Sequence, residues 1–233
     1  MTLIALLGDP VAESLSPRMQ NAAFAARALA WSYVACRVEP DRLETAVRGL
    51  VALGFAGANV TIPHKQAVVA LCDEVEDEAA RAGSVNTLVI RDGRVLGSST
   101  DAEILREVEA RTAVVIGAGG AAAALVSFLR ERGTDVRTFS RGGEWPPSAA
   151  GVDLVVNATP VRDELLLTPT AGQIVVELAY RSDGSDTALV AAARAAGARV
   201  FDGIDVLVAQ GAASFERWTG VAAPHDIMSA AVR

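Results

Sequence analysis

Nine residues decide the interpretation of the first half of this chain: Gly57-Ala58-Asn59-Val60-Thr61-Ile62-Pro63-His64-Lys65. Residues 55–60 have the pattern of a strand that ends in polar groups. Proline suits the first position of a helix because its missing N–H would lack a partner there, so a helix is predicted over Pro63–Cys72. The stretch thus brings Asn59, Thr61 and Lys65 to the carboxyl end of a strand, where open α/β sheets bind ligands.

These three side chains suggest a chemistry. A lysine beside an amide and a hydroxyl can bind a polyhydroxylated substrate and move a proton. The alternative is that Lys65 is an ordinary surface residue in the first turn of a helix, and the stretch alone leaves both open.

Composition excludes several classes of protein. The 233 residues are 51% hydrophobic, carry a net charge of −7 and contain no long run of basic side chains, so neither nucleic acid nor an anionic membrane is an expected partner. Cys36 and Cys72 lack CxxC spacing and are predicted to be reduced thiols of a cytoplasmic protein. With only two histidines and no cysteine near them, no metal site is expected. The start of the chain is predicted to be a strand and not a secretion signal.

Strand and helix patterns alternate along the chain and predict an α/β fold of two domains on either side of a cleft. The first boundary is placed near residue 101, followed by a helix over Ala102–Ala110. The second domain is predicted to span 102–220 and to be Rossmann-like. Residues 221–233 are predicted to rejoin the first domain, 1–101.

A glycine turn opens the second domain, in the order Val114-Val115-Ile116-Gly117-Ala118-Gly119-Gly120-Ala121-Ala122. It follows a predicted strand, opens a predicted helix and fits G-x-G-x-x-A. In that pattern the first glycine allows a tight turn and the second lets the backbone approach a pyrophosphate at the helix N-terminus. A dinucleotide is therefore predicted at Gly117, Ala118, Gly119, Gly120 and Ala121, with a purely structural turn as the alternative.

The end of the next strand bears on which dinucleotide is bound. Enzymes that use NAD place an acidic residue there for the ribose 2′-hydroxyl, but this chain has Phe139-Ser140-Arg141. Ser140 and Arg141 suit a 2′-phosphate, so NADP is preferred over NAD. The alternative is that Arg141 is a solvated loop residue.

Further motifs occur in a fixed order around these two. They are Gly8-Asp9-Pro10 with Ser14-Leu15-Ser16-Pro17, then Gly83-Ser84-Val85-Asn86-Thr87, then Gly97-Ser98-Ser99-Thr100-Asp101, then Asn157-Ala158-Thr159-Pro160, and finally Gln210 with Trp218-Thr219-Gly220. Together with residues 57–65, they make the chain resemble the shikimate dehydrogenase family over nearly its full length.

The resemblance implies NADP-dependent reduction of 3-dehydroshikimate to shikimate, a step of aromatic amino acid and chorismate biosynthesis. It assigns catalysis to Lys65 with Asp101 as its partner. The residues it implies for substrate binding are Ser14, Ser16, Asn59, Thr61, Asn86 and Gln210. It adds Thr159 to the cofactor site, makes residues 1–101 with 221–233 the substrate domain, and suggests a monomer or homodimer.

The chain departs from the family pattern mainly in its cofactor half. Arg162-Asp163 replace a Gly-Met pair, Val206 replaces a methionine, and Gln20 and Ser99 replace a histidine and an asparagine. Residues 142–152 are too few for the helix and strand that the family has there, so a shortened cofactor domain is expected. Quinate or aminoshikimate dehydrogenase, and a non-catalytic shikimate-binding homologue with an eroded cofactor site, stay open as alternatives. A folate dehydrogenase is disfavoured because the paired serines suit a small carboxylate.

Overall fold

The computed structural model describes all 233 residues and divides the chain into two compact units. The first contains Met1–Asp101 and Val208–Arg233, and the second contains Ala102–Leu207. The chain thus re-enters the first unit at Val208, inside the helix Gly203–Thr219, and not at 221 as the sequence predicts. The reason is that the later turns of this helix are buried within the first unit, where Phe215 stacks on Phe24 at 5.4 Å between ring centroids.

The first unit is built on a six-stranded sheet. Its elements before residue 101 are β1 (Thr2–Gly8), α1 (Ser16–Ala26), β2 (Trp31–Arg37), α2 (Leu43–Ala52), β3 (Gly57–Val60), β4 (Glu74–Val75), α3 (Asp77–Ala82), β5 (Thr87–Arg91) and β6 (Arg94–Ser98). The strand order is β2-β1-β3-β5-β6-β4. Strands β1, β2 and β3 run parallel, while β5 is antiparallel to both β3 and β6. The carboxyl ends of β3 and β6 and the amino end of β5 therefore lie at one edge of the sheet.

The second unit is a five-stranded, fully parallel sheet in the order β11-β10-β9-β7-β8. Its elements are β7 (Thr112–Ile116), α4 (Gly120–Glu131), β8 (Asp135–Phe139), β9 (Leu154–Asn157), β10 (Ile174–Glu177), α5 (Ala188–Ala195) and β11 (Arg199–Phe201). Two helices close the chain, α6 (Gly203–Thr219) and α7 (His225–Val232). None of the helices is long and apolar enough to cross a bilayer.

The shortening expected from the sequence is visible in this second sheet. No helix or strand lies between β8 and β9, and β8 is left at the edge. The three central strands, β7, β9 and β10, are mainly hydrophobic runs buried on both faces, as is typical of parallel sheets, with Val114, Ile116, Val155 and Val175 in one apolar core. The predicted α/β class with a shortened Rossmann-like sheet is confirmed.

The predicted helix over Pro63–Cys72 is wrong. The Ile62–Pro63 peptide bond is cis, and Pro63 lies in a turn. A 3-10 helix follows only at Ala67–Leu71. The carbonyl of Lys65 accepts a hydrogen bond from the backbone N–H of Val85 at 2.8 Å. Because the Lys65 carbonyl is bonded to Val85, the N–H of Val69 donates instead to the carbonyl of Gln66. The regular hydrogen bonding of an α-helix is therefore interrupted here.

The predicted helix over Ala102–Ala110 is also shorter than expected, a 3-10 helix at Glu103–Glu107. Val108 is already extended, with φ −113° and ψ 127°. The carbonyl of Ala110 accepts from the hydroxyl of Thr134 at 2.9 Å, which aligns the chain for β7. The start of the strand therefore ends the helix.

A buried carboxyl group, that of Glu177, lies at the carboxyl end of β10. It accepts hydrogen bonds from Asn157 Nδ2 at 2.9 and 3.1 Å, from the backbone N–H of Ala179 at 2.9 Å and from the hydroxyl of Thr187 at 3.1 Å. Its side chain is fully buried, and the loss of hydration outweighs these donors. Burial raises the pKa of Glu177 to about 7.

This raised pKa predicts how stability depends on pH. Between the ordinary pKa of 4.5 and about 7, the native state keeps a proton that the unfolded chain has lost. The free energy of unfolding should therefore fall as pH rises through this window, by up to about 3 kcal/mol in total. Urea unfolding at pH 5 and pH 8 should show a smaller pH difference in Glu177→Gln than in the parent chain.

The exposed Glu109→Gln serves as the control for this measurement and should keep the parental pH dependence. Equal pH dependence in Glu177→Gln and the parent would contradict the assignment, whatever constant offset the substitution adds.

Candidate active site

Three motif segments meet at the edge of the first sheet described above. The backbone N–H of Val60 donates to the carbonyl of Asn86 at 2.8 Å, and the N–H of Asn86 donates to the carbonyl of Ser98 at 3.1 Å. In the strand register Asn59 faces Thr87, which in turn faces Ser98. The segments that carry Lys65, Asn86 and Asp101 are therefore held side by side by the sheet itself.

Lys65 and Asp101 form an ion pair at this edge. The Nζ atom of Lys65 lies 2.6 Å from Oδ1 and 2.8 Å from Oδ2 of Asp101. The two side chains are only 12% and 7% exposed. Lys65 is also the only lysine in the sequence, since the other long basic side chains are all arginine. The pair places the largely buried Lys65 side chain at the sheet edge where a ligand is expected.

Asn86 fixes the position of the Asp101 carboxylate. Its Nδ2 donates to Asp101 Oδ1 at 2.9 Å, to the hydroxyl of Thr100 at 3.0 Å and to Gln210 Oε1 at 3.2 Å. Its Oδ1 accepts from the N–H of Thr100 at 2.8 Å and from the hydroxyl of Thr87 at 2.9 Å. The geometry therefore gives Asn86 an orienting position, whereas the sequence predicts contact with a substrate hydroxyl.

Asn59 is equally engaged within the protein. Its Oδ1 accepts from the hydroxyl of Tyr33 at 2.9 Å, and its Nδ2 donates to Ser214 Oγ at 3.0 Å and to the carbonyl of Asn86 at 3.0 Å. Asn59 is 6% exposed. Its side chain links the neighbouring segments through these bonds, and its predicted nearness to the substrate stays a prediction.

Sequence reasoning missed Tyr33, Thr87, Thr100 and Ser214 as members of this network. Ser214 Oγ lies 2.8 Å from Thr87 Oγ1 and 3.2 Å from Thr100 Oγ1, and it donates to the carbonyl of Gln210 at 3.0 Å. Its spacing of four residues from Gln210 on one helix face was an available signal. Tyr33 comes from β2 and has no local sequence signal.

The first loop approaches this edge through the backbone. The N–H of Asp9 donates to the carbonyl of Ile62 at 2.9 Å, and Gly8 is packed so closely against the Thr61 side chain that a Cβ would clash. Ser14 Oγ accepts from the N–H of Ser16 at 3.3 Å, where α1 begins. No hydrogen bond joins these two serines to the network, and the Thr61 hydroxyl has none, so it is available to a ligand.

The glycine turn of the second unit has the geometry that a pyrophosphate needs. Gly117 has φ +133°, and a Cβ there would lie 2.9 Å from the carbonyl oxygen of Ala158. A Cβ on Gly119 would meet nothing within 4 Å. Helix α4 begins at Gly120, so Ala118, Gly119, Gly120 and Ala121 surround an open helix N-terminus. These residues fit a dinucleotide.

The other predicted cofactor residues follow the neighbouring strands. The N–H of Gly117 donates to the carbonyl of Phe139 at 2.8 Å, which places Ser140 and Arg141 directly beside the turn. Thr159 follows β9, and its N–H and hydroxyl both donate to Asn157 Oδ1, at 3.0 and 2.7 Å. Thr159 is thus held in a turn whose asparagine is anchored by Glu177.

Comparison with known proteins identifies the family. The chain is 41% identical to a shikimate dehydrogenase (NADP(+)) of Anaeromyxobacter sp. strain Fw109-5, over 99% of this chain and 95% of that protein. It is 40% identical to a shikimate dehydrogenase (NADP(+)) of Moorella thermoacetica, over 99% and 92%. The chain belongs to the shikimate dehydrogenase family.

Family models and a solved structure agree with this membership. Residues 6–88 match the model of the shikimate dehydrogenase substrate binding domain, and residues 203–233 match that of the shikimate 5'-dehydrogenase C-terminal domain. Shikimate 5-dehydrogenase from Thermus thermophilus, solved with NADP(H) and shikimate, superposes with a TM-score of 0.88 at 34% identity. That match covers 100% of this chain and 99% of the other.

The alignment with the Anaeromyxobacter member of the shikimate dehydrogenase family extends over 269 positions, more than the 233 residues of this chain. The relative therefore has segments that this chain lacks. The missing helix and strand between β8 and β9 agree with that difference.

Ser214 allows a direct test of the buried network. We expect Ser214→Ala to lower the free energy of unfolding by about 1–3 kcal/mol, because Asn59, Thr87 and Thr100 each lose a buried partner. Urea denaturation measures this change.

Ser229→Ala is the matched control on helix α7, since Ser229 Oγ only accepts a 3.3 Å bond from an exposed arginine. A loss in Ser214→Ala no larger than in this control would show that the Ser214 hydroxyl is not part of a stabilising network.

Proposed function

We propose that this chain catalyses the reversible, NADP-dependent reduction of 3-dehydroshikimate to shikimate. One observation carries the proposal: the largely buried ion pair of Lys65 and Asp101 at the ligand-binding edge of the first sheet. The glycine turn and the membership of the shikimate dehydrogenase family support the same reaction.

Reduction of a ketone needs a hydride on carbon and a proton on oxygen. NADPH, when bound, supplies the hydride. Lys65 is positioned to supply the proton or to hold the carbonyl oxygen as negative charge develops there. Asp101 orients the ammonium group through both carboxylate oxygens, and in the reverse direction the neutral amine of Lys65 takes the proton from the hydroxyl group.

The remaining substrate residues are assigned by their available groups. The hydroxyls of Ser14 and Ser16 lie at the start of α1, where an anion is favoured, and bind the carboxylate. Thr61 has a free hydroxyl beside the catalytic pair. Gln210 keeps its Nε2 available while Oε1 is held by Asn86, and it binds a ring hydroxyl. Asn86 and Asn59 hold the segments that carry these groups in position.

The second unit is assigned to NADP through residues that follow β7, β8 and β9. The turn from Gly117 to Ala121 holds the pyrophosphate, Ser140 and Arg141 bind the 2′-phosphate, and Thr159 shapes the loop beside them. We further propose that the protein acts in the cytoplasm, as a monomer or homodimer, without a nucleic-acid or membrane partner. Its free Cys36 and Cys72 are consistent with a reducing compartment.

Kinetics of variants tests the catalytic pair. Lys65→Ala and Asp101→Asn should each lower kcat by about 10²–10⁴-fold, the usual contribution of a positioned acid, with a much smaller change in KM. The measurement is the absorbance of NADPH at 340 nm with shikimate and NADP⁺. Arg48→Ala, which breaks an exposed ion pair with Glu44, is the control and should keep parental activity.

Near-normal turnover in Lys65→Ala would contradict the proposed mechanism. Because Lys65 is the only lysine, its amine can also be followed by NMR after reductive methylation without a competing lysine signal. That signal should shift on addition of shikimate.

A substrate panel separates the alternatives. Shikimate, quinate and an aminoshikimate, each with NADP⁺ and NAD⁺, should give the highest kcat/KM for shikimate with NADP⁺. Shikimate binding without dinucleotide binding would instead favour a non-catalytic homologue.

A further inference from the structure

The loop after β8 holds an arginine against a tryptophan. Arg141 Cζ lies 6.0 Å from the centroid of the Trp145 ring. Trp145 is 40% exposed. Two backbone hydrogen bonds fold the loop so that the two side chains meet. The N–H of Ser140 donates to the carbonyl of Glu144 at 3.2 Å, and the N–H of Gly143 donates to the carbonyl of Ser140 at 2.9 Å.

A carboxylate also reaches this arginine. Glu164 Oε2 lies 3.6 Å from Arg141 Nη2, and both side chains are well exposed. Exposed ion pairs of this kind add little free energy, because water screens the charges. The guanidinium can therefore leave Glu164 for a stronger anion.

The position of Arg141 indicates which anion would replace Glu164. The bond from Gly117 to Phe139 places the end of β8 beside the pyrophosphate turn. In dinucleotide-binding sheets, the end of the second strand contacts the 2′ position of the adenosine ribose. A 2′-phosphate offers more negative charge than a carboxylate and matches the planar donors of arginine.

Arg141 lies in an exposed part of the loop between β8 and β9. No helix or strand lies between these strands, and the packing of the loop into the apolar core begins only later, at Ala149 and Val152. An arginine on such a loop would sample many positions. Contact with the indole ring restricts it by a cation–π interaction.

We propose that Trp145 and Glu164 act in opposite directions on the preference of this chain for NADP over NAD: Trp145 strengthens it and Glu164 weakens it. Trp145 is a positioning residue that holds the Arg141 guanidinium where the 2′-phosphate binds, and Glu164 is the internal anion that the phosphate displaces. The inference rests on the proposed function, since it concerns the cofactor of the same reaction.

Calorimetric titration of the full chain with NADP⁺ and with NAD⁺, without substrate, tests this. Arg141→Ala should raise the Kd for NADP⁺ by about 10- to 100-fold and leave that for NAD⁺ nearly unchanged. Trp145→Leu should raise the Kd for NADP⁺ by about 2- to 5-fold, and Trp145→Phe should restore most of the loss. Glu164→Gln should lower the Kd for NADP⁺ by about 2- to 5-fold, with no change for NAD⁺.

Glu144→Gln is the matched control for charge, because Glu144 lies in the same loop and makes no ion pair with Arg141. It should change the Kd for NADP⁺ less than Glu164→Gln does. In the Arg141→Ala background, Trp145→Leu should cause no further loss, because Trp145 acts through Arg141.

Two results would overturn the inference. One is an equal change for NADP⁺ and NAD⁺ in Trp145→Leu or Glu164→Gln, and the other is an additive loss in the double variant. Failure of the parent chain to bind either dinucleotide would overturn the proposed function, and this inference with it. Parental binding with an unaltered preference in the variants would overturn only the inference.

Discussion

The structure depends on one constraint: a lysine and an aspartate, both largely removed from water, must stay paired. Separating two such charges, or deleting one of them, leaves an unpaired charge that costs about 3–5 kcal/mol. The strands β3, β5 and β6 meet this constraint because their register brings residues 59, 87 and 98 together. The same edge carries the proposed proton donor, so the arrangement that stabilises the pair is also the one that the proposed reaction needs.

The pair is held in turn by a dense set of buried polar groups. Each hydroxyl of Thr87, Thr100 and Ser214 has its partners within the network. A buried polar network is stabilising only when its members are satisfied. Helix α6 contributes both Ser214 to this network and Gln210 to Asn86, so its axial position is defined by the same bonds that orient Asp101. The Asn86–Gln210 contact and the Lys65–Asp101 ion pair therefore share one support.

Much of this was predictable from the sequence, and the exceptions have physical reasons. The strand predicted over residues 55–60 agrees with β3, because a short apolar run ending in polar residues is a strong local signal. The helix after Pro63 was predicted wrongly because the Lys65 carbonyl bonds to Val85, a contact that the local sequence does not encode. The substrate contacts predicted for Asn86 and Asn59 stay predictions, and the bonds of their amides within the protein were not predicted. Tyr33 could not be found, because its bond to Asn59 arises only when β2 and β3 flank β1. The single lysine was an available signal that motif reasoning passed over.

The second unit shows how much of a dinucleotide fold can be removed. Strands β7, β8 and β9 keep the glycine turn, the 2′ position and Thr159 adjacent, because these depend only on parallel pairing between neighbouring strands. The segment that is absent after β8 would lie beyond the edge of the sheet and would not contribute to that pairing. Its absence leaves the glycine turn intact, and the loop at 140–153 still packs into the apolar core through Ala149 and Val152. A short chain can therefore keep the glycine turn from backbone geometry alone, while the proposed recognition of a 2′-phosphate rests on two side chains in contact, Arg141 and Trp145.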